Sequence, residues 1–74
     1  MITVFFVDEG QDFLEWDIDP QGKVVACRPF QSEIWVGTIV HNKDIKPGDL
    51  LDFTAVDGFH AQLIHAVEKV QQLV

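Results

Sequence analysis

A chain of 74 residues with one cysteine, Cys27, excludes an intramolecular disulfide and a cysteine-built zinc site. Twelve acidic residues against five basic ones give a net charge of −7, which repels phosphate backbones and anionic membranes. The five cations, Lys23, Arg28, Lys43, Lys46 and Lys69, are scattered, so neither a nucleic-acid nor a membrane partner is expected.

The apolar start, Ile2 to Val7, lacks a basic flank and is too short for a signal peptide or a membrane span. With the lone cysteine this predicts a cytoplasmic protein, organised as one domain over 1–74. Ile2, Val4 and Phe6 alternate with Thr3, Phe5 and Val7, a first strand with apolar residues on both faces. Asp8-Glu9-Gly10-Gln11 supplies turn residues. Phe13 to Ile18 is a second strand, with Leu14, Trp16 and Ile18 on one face and Glu15 and Asp17 on the other. Asp19-Pro20-Gln21-Gly22 has the chemistry of a type I turn, and Val24 to Cys27 gives a third strand that Pro29 ends.

Glu33 to Phe59 organises the rest. Ile34 to Val40 is β-branched and aromatic and predicts a strand covered on both faces. Lys46-Pro47-Gly48-Asp49 fits a type II turn, with Gly48 at the positive-φ position. Leu51, Phe53 and Ala55 alternate with Asp52 and Thr54, a half-buried strand.

The C-terminal segment admits two readings. As a helix from about Gly58 to Gln72, N-capped by Asp57, it aligns Phe59, Leu63, Val67 and Val70 in one stripe. As a hairpin with a Val56-Asp57-Gly58 loop, it pairs Ala55 with Phe59, Phe53 with Ala61 and Leu51 with Leu63. The abundance of Ala, Gln, Leu, Glu and Lys favours the helix. The expected class is therefore α+β: an antiparallel sheet of about five strands with the amphipathic C-terminal helix packed on one face. The alternative is an all-β, closed five-stranded barrel.

Motifs that could carry chemistry are few. Asp17-Ile18-Asp19-Pro20-Gln21-Gly22 begins like a calcium loop, but Arg28 stands where the bidentate glutamate belongs. Asp8, Glu9, Asp12, Glu15, Asp17 and Asp19 form an acidic surface, solvated or facing a protein partner, with Glu15, Asp17 and Asp19 the candidates for that contact. His41 could meet Asp44 as an acid–base pair, and Cys27 is expected to be buried and inert. No metal, cofactor or catalytic constellation emerges, so a non-enzymatic protein is expected. His41 to Val67, with IKPGDLLDF followed by VDGFHAQLIHAV, resembles the last two strands of the cold-shock and other small oligonucleotide-binding barrels. That family's base-stacking aromatic strands have no counterpart, since the acidic FLEWDIDPQGKVVAC takes their place.

The expected function is a homo-oligomeric binding or adaptor module. One helix cannot cover a sheet that is apolar on both faces, and a two-fold dimer centred on Phe5 and Trp35 would hide the remainder. The alternative is a small-molecule-binding protein or small enzyme, with a pocket between sheet and helix or at a subunit interface.

Overall fold

The structure of the chain is a computed structural model that describes residues 1–7, 13–28 and 35–73. These residues form seven strands: β1 (Ile2–Val7), β2 (Phe13–Ile18), β3 (Val24–Arg28), β4 (Ile39–Val40), β5 (Asp52–Thr54), β6 (His60–Gln62) and β7 (Val67–Gln72). They build a four-stranded antiparallel sheet in the order β3-β2-β1-β7 and a three-stranded one in the order β4-β5-β6. The fold is all-β, which overturns the α+β expectation, and there is no helix among the described residues. Nor do the strands close into a five-stranded barrel.

The two sheets are stitched together at two places. Val24 N donates to Thr38 O at 2.8 Å, Gly37 N to Val24 O at 2.8 Å and Val40 N to Gly22 O at 2.7 Å. On the other side Gly48 N donates to Val67 O and Val67 N to Asp49 O, both at 2.8 Å. Satisfying backbone groups in this way lets short strands such as β4 persist.

The helical stripe fails for a local reason. Along β1 and β7, Phe5 faces Lys69 and Phe6 faces Val67, so Glu68 is an extra residue, a β-bulge. The bulge turns the strand's period of two into a gap of three, and both Val67 and Val70 pack on the core. Upstream, Phe53 pairs with Ala61, Ala55 N donates to Phe59 O at 2.8 Å and Leu63 N to Leu51 O at 2.8 Å. That is the register assigned by the hairpin reading, with Gly58 at φ +91° in its loop. Asp57 caps no helix; its Oδ1 accepts Phe59 N at 3.0 Å across the turn.

A second correction concerns the strand expected over Ile34 to Val40. Only Ile39–Val40 is strand. Trp35 to Thr38 is a turn, closed by Thr38 N donating to Trp35 O at 3.0 Å with Gly37 at φ +95°. The turns expected at Asp19–Gly22 and Lys46–Asp49 do form, closed by Gly22 N to Asp19 O at 2.9 Å and Asp49 N to Lys46 O at 3.0 Å. The Asp8–Gln11 turn, the Pro29 strand end, residue Ile34 and the acidic residues Asp8, Glu9 and Asp12 lie outside the described residues.

The core sits between the sheets. Val4, Phe6, Trp16, Ile18, Val24, Cys27 and Val67 come from the larger sheet and meet Val40 and Leu51 from the smaller side. Phe6 and Trp16 pack edge to face at 5.1 Å between centroids.

Candidate functional site

On the outer face of the larger sheet, where a partner-facing acidic surface was expected, two carboxylates share one guanidinium. Arg28 Nε donates to Glu15 Oε2 at 2.9 Å, and its Nη1 and Nη2 donate to the two Asp17 carboxylate oxygens at 3.0 and 2.7 Å. Thr3 Oγ1 adds a bond to Asp17 Oδ1 at 2.7 Å. Hydrogen bonding to Arg28 holds the Asp17 carboxyl below its ordinary value, outweighing the opposing effect of burial, while Asp17 and then Glu15 push Arg28 above its own. A depressed carboxylate pKa adds stability above the ordinary aspartate value, and that contribution is lost as pH falls through the folded value. These groups stabilise a sheet face. Asp19 has a different task, its Oδ1 accepting Gln21 N and Lys23 N at 2.9 Å each within the turn.

The two interface candidates are both half-buried. Trp35 lies between Trp16, at 5.1 Å, and Phe53, at 5.8 Å, and packs against the core. Phe5 carries Lys69 Nζ 5.3 Å above its ring centroid. Among the described residues the most exposed large apolar side chains are elsewhere: Val56 and Phe59 in the hairpin turn, and Ile64. Cys27 is buried, and burial pushes its thiol above the ordinary value against the weaker effects of the Trp16 indole and the Arg28 charge. The indole nitrogen itself has no partner at hydrogen-bonding geometry. Cys27 is thus an inert core residue.

Histidine chemistry gathers on the outer face of the smaller sheet. His41 does not pair with Asp44; its Nε2 lies 2.7 Å from Thr54 Oγ1. His60 Nε2 lies 2.7 Å from Asp52 Oδ1, and the two imidazoles stack edge to face at 5.7 Å. Register explains the meeting: Thr54 pairs with His60 across β5 and β6, and His41 N donates to Asp52 O at 2.8 Å. Among the described residues no three His, Cys, Asp or Glu side chains converge as a metal would require.

His41 is also one wall of an open cleft of about 800 Å³. One side is the β2–β3 turn, Asp19 to Gly22. The opposite side is β4 and the loop after it, Ile39 to Lys43, with Ile45. Ile2, Ile18 and Gln72 of the larger sheet complete it. Gly22 brings the walls together: a Cβ there would stand 2.5 Å from Val40 O. The loop wall is tied down by Asn42, whose Nδ2 donates to Leu50 O at 3.1 Å and whose Oδ1 accepts Asp52 N at 2.8 Å. At the far end of that loop Ile45 packs against the core.

The cleft's apolar surface is aliphatic, and His41 is its only aromatic ring. Its acidic and basic chains are Asp19, already serving two backbone donors, and Lys43, which has no ion pair among the described residues. The lining mixes aliphatic side chains with Asp19, Gln21, His41, Asn42, Lys43 and Gln72, and the volume falls within the range common for small-molecule sites, about 300–1,000 Å³. The expected pocket between sheet and helix has no counterpart, since one of its walls does not exist; this cleft lies between a turn, a loop and the strand ends. Comparison with protein-family models, curated proteins and solved structures finds no match for the chain.

Proposed function

We propose that the chain is a small-molecule-binding domain whose ligand lies in the cleft between the Asp19–Gly22 turn and the Ile39–Lys43 segment. The observation that carries this reading is the cleft itself, with a lining of aliphatic and polar residues and a loop wall fixed by Asn42 at one end and Ile45 at the other. Preorganised walls lower the ordering cost of binding. Because the cleft is open, part of the ligand stays in water and affinity is modest.

The test is a titration with a neutral aliphatic alcohol, hexan-1-ol, followed by amide chemical shifts. Perturbations concentrated on Gly22, Ile39, Asn42 and Gln72 support the reading. Perturbations confined to Val56, Phe59 and Ile64, or none at all, overturn it.

A second reading, the homo-oligomeric binding or adaptor module, draws on the hairpin turn, where Val56 is 72% and Phe59 64% exposed. Such residues suit a contact with a second copy better than Trp35, which already packs in the core, or Phe5, which is covered by Lys69. Light scattering over a dilution series tests it: a mass that falls on dilution, and that Phe59→Ser reduces, supports self-association. A constant monomer mass rejects it.

A further inference from the structure

We infer that the open edge of β6 is the surface through which two copies of this chain pair, strand against strand, about a two-fold axis passing at Ala61. The inference rests on the self-association reading above and goes further by naming the strand, its register and its symmetry.

Hydrogen-bond geometry is the first support. Ala55 N donates to Phe59 O and Leu63 N to Leu51 O, both at 2.8 Å, in the register that pairs Phe53 with Ala61. Bonded pairs alternate with unbonded ones along an antiparallel ladder. Phe59, Ala61 and Leu63 therefore bond to the β5 side, and the N–H and C=O groups of His60 and Gln62 point away from it. These groups have no backbone partner among the described residues.

The second support is the contrast between this edge and the others. β3 and β4 are joined to each other through Val24 with Thr38 and Gly22 with Val40. β7 carries Glu68 in a bulge with Lys69 beside it, the devices that keep an edge from pairing. β6 has no charge, proline or bulge. It lies within residues 58–67, the longest run in the sequence without Asp, Glu, Lys or Arg. Copies of a chain of net charge −7 repel one another, and here they meet without a fixed charge on the strand. Of the adjacent carboxylates, Asp52 is engaged by His60 Nε2 at 2.7 Å and Asp57 by Phe59 N at 3.0 Å.

The third support is self-complementarity, which a two-fold contact requires. Antiparallel pairing about Ala61 sets His60 opposite Gln62 of the partner subunit, and the axis repeats that pair, so each open group of the edge meets its match. Phe59, Ala61 and Leu63 share the other face of the strand. Phe59, 64% exposed in the single chain, then comes opposite Leu63 of the partner subunit, and the axis repeats this apolar contact too. With only three residues in β6, the interface is small and the association weak.

The test is amide hydrogen exchange on the intact chain at low and high concentration, with light scattering on the same samples. The mass is expected to rise toward twice that of the monomer, and exchange at His60 and Gln62 to slow several-fold. Val70 and Gln72 are the control. Their amides point outward from β7 by the same alternation, given Leu73 N donating to Met1 O, and are expected not to change. Gln62→Pro removes an outward N–H and no bond to β5. It is expected to hold the mass at that of the monomer while the Trp16 indole resonance stays native. The exchange measurement uses the unmodified chain, so it decides the matter even where the proline variant fails to fold. A rising mass with protection at Val70 and Gln72 in place of His60 and Gln62 overturns the β6 pairing while self-association stands. A rising mass retained by a folded Gln62→Pro does the same. A constant monomer mass overturns both and leaves the edge to a chain of another sequence.

Discussion

Gly22 and Gly48 have nearly the same backbone conformation, φ +92° and +95°, in opposite surroundings. A Cβ at Gly48 would meet nothing within 4 Å, whereas one at Gly22 would stand 2.5 Å from the carbonyl oxygen of Val40. That carbonyl belongs to backbone, so it cannot swing away as a side chain would. The approach is also fixed by Val40 N donating to Gly22 O at 2.7 Å. Gly48→Ala is therefore expected to cost about 1 kcal/mol, the strain of a positive φ alone. Gly22→Ala is expected to cost at least about 3 kcal/mol, because the steric conflict adds to the same strain. Urea titrations of the two variants measure the difference. Equal costs would show that the turn does not lie against β4, and the cleft would lose the wall that Gly22 provides. Local sequence made both turns legible, since Pro and Gly occupy the positions their turn types demand. What it could not show was that only one of the two turns is packed against a strand.

The strands show the same division between local and distant information. Where a strand is regular, its alternation predicts which residues face the core: Val4 and Phe6 are buried, as are Trp16 and Ile18. Where it is bulged, alternation misleads. On β3, Ile18 pairs with Val24 and Asp17 with Ala26, leaving Val25 over, so Val24 and Cys27 both turn inward. On β7 the extra residue is Glu68, and the resulting gap between Val67 and Val70 imitates one turn of helix. Phe59 was part of that helical stripe and is in fact among the most exposed side chains. Gly37 misled in the other direction, because a type II turn was hidden within β-branched neighbours. The bulge gives a direct prediction. Deleting Glu68 must either turn Val67 outward or reverse the facing of the residues after it. The expected cost is about 2–3 kcal/mol, the burial of one valine with its packing. Glu68→Ala, which keeps the bulge, should cost less than about 0.5 kcal/mol. Denaturant midpoints compare the two. If they agree, the extra residue has no role in β7, and the pairing of β1 with β7 needs another register.

At the scale of the whole molecule, the site was illegible because no local pattern contains it. Ile2, Ile18, Ile39 and Gln72 meet only when both sheets are in place, and the His41–His60 contact depends on the register of three strands. A site shared in this way exists only if the sheets behave as one body. Leu51 is the residue that tests this. It is fully buried just before β5 and belongs to the same core as Val4, Trp16 and Val67 of the larger sheet. Backbone hydrogen bonds at Gly22–Val40 and at Gly48–Val67 reinforce that packing on two sides. Unfolding is thus expected to be a single transition, with the Trp16 indole resonance reporting the larger sheet and the His60 ring resonance the smaller one at the same denaturant midpoint. Leu51→Val removes one buried methylene and is expected to lower stability by about 1 kcal/mol. Its effect should appear equally in both probes, although the residue lies beside only one sheet. A midpoint that moved for His60 and stayed for Trp16 would mean that the smaller sheet opens alone. The cleft would then open with it, and a ligand bound there would stabilise that sheet alone rather than the whole chain.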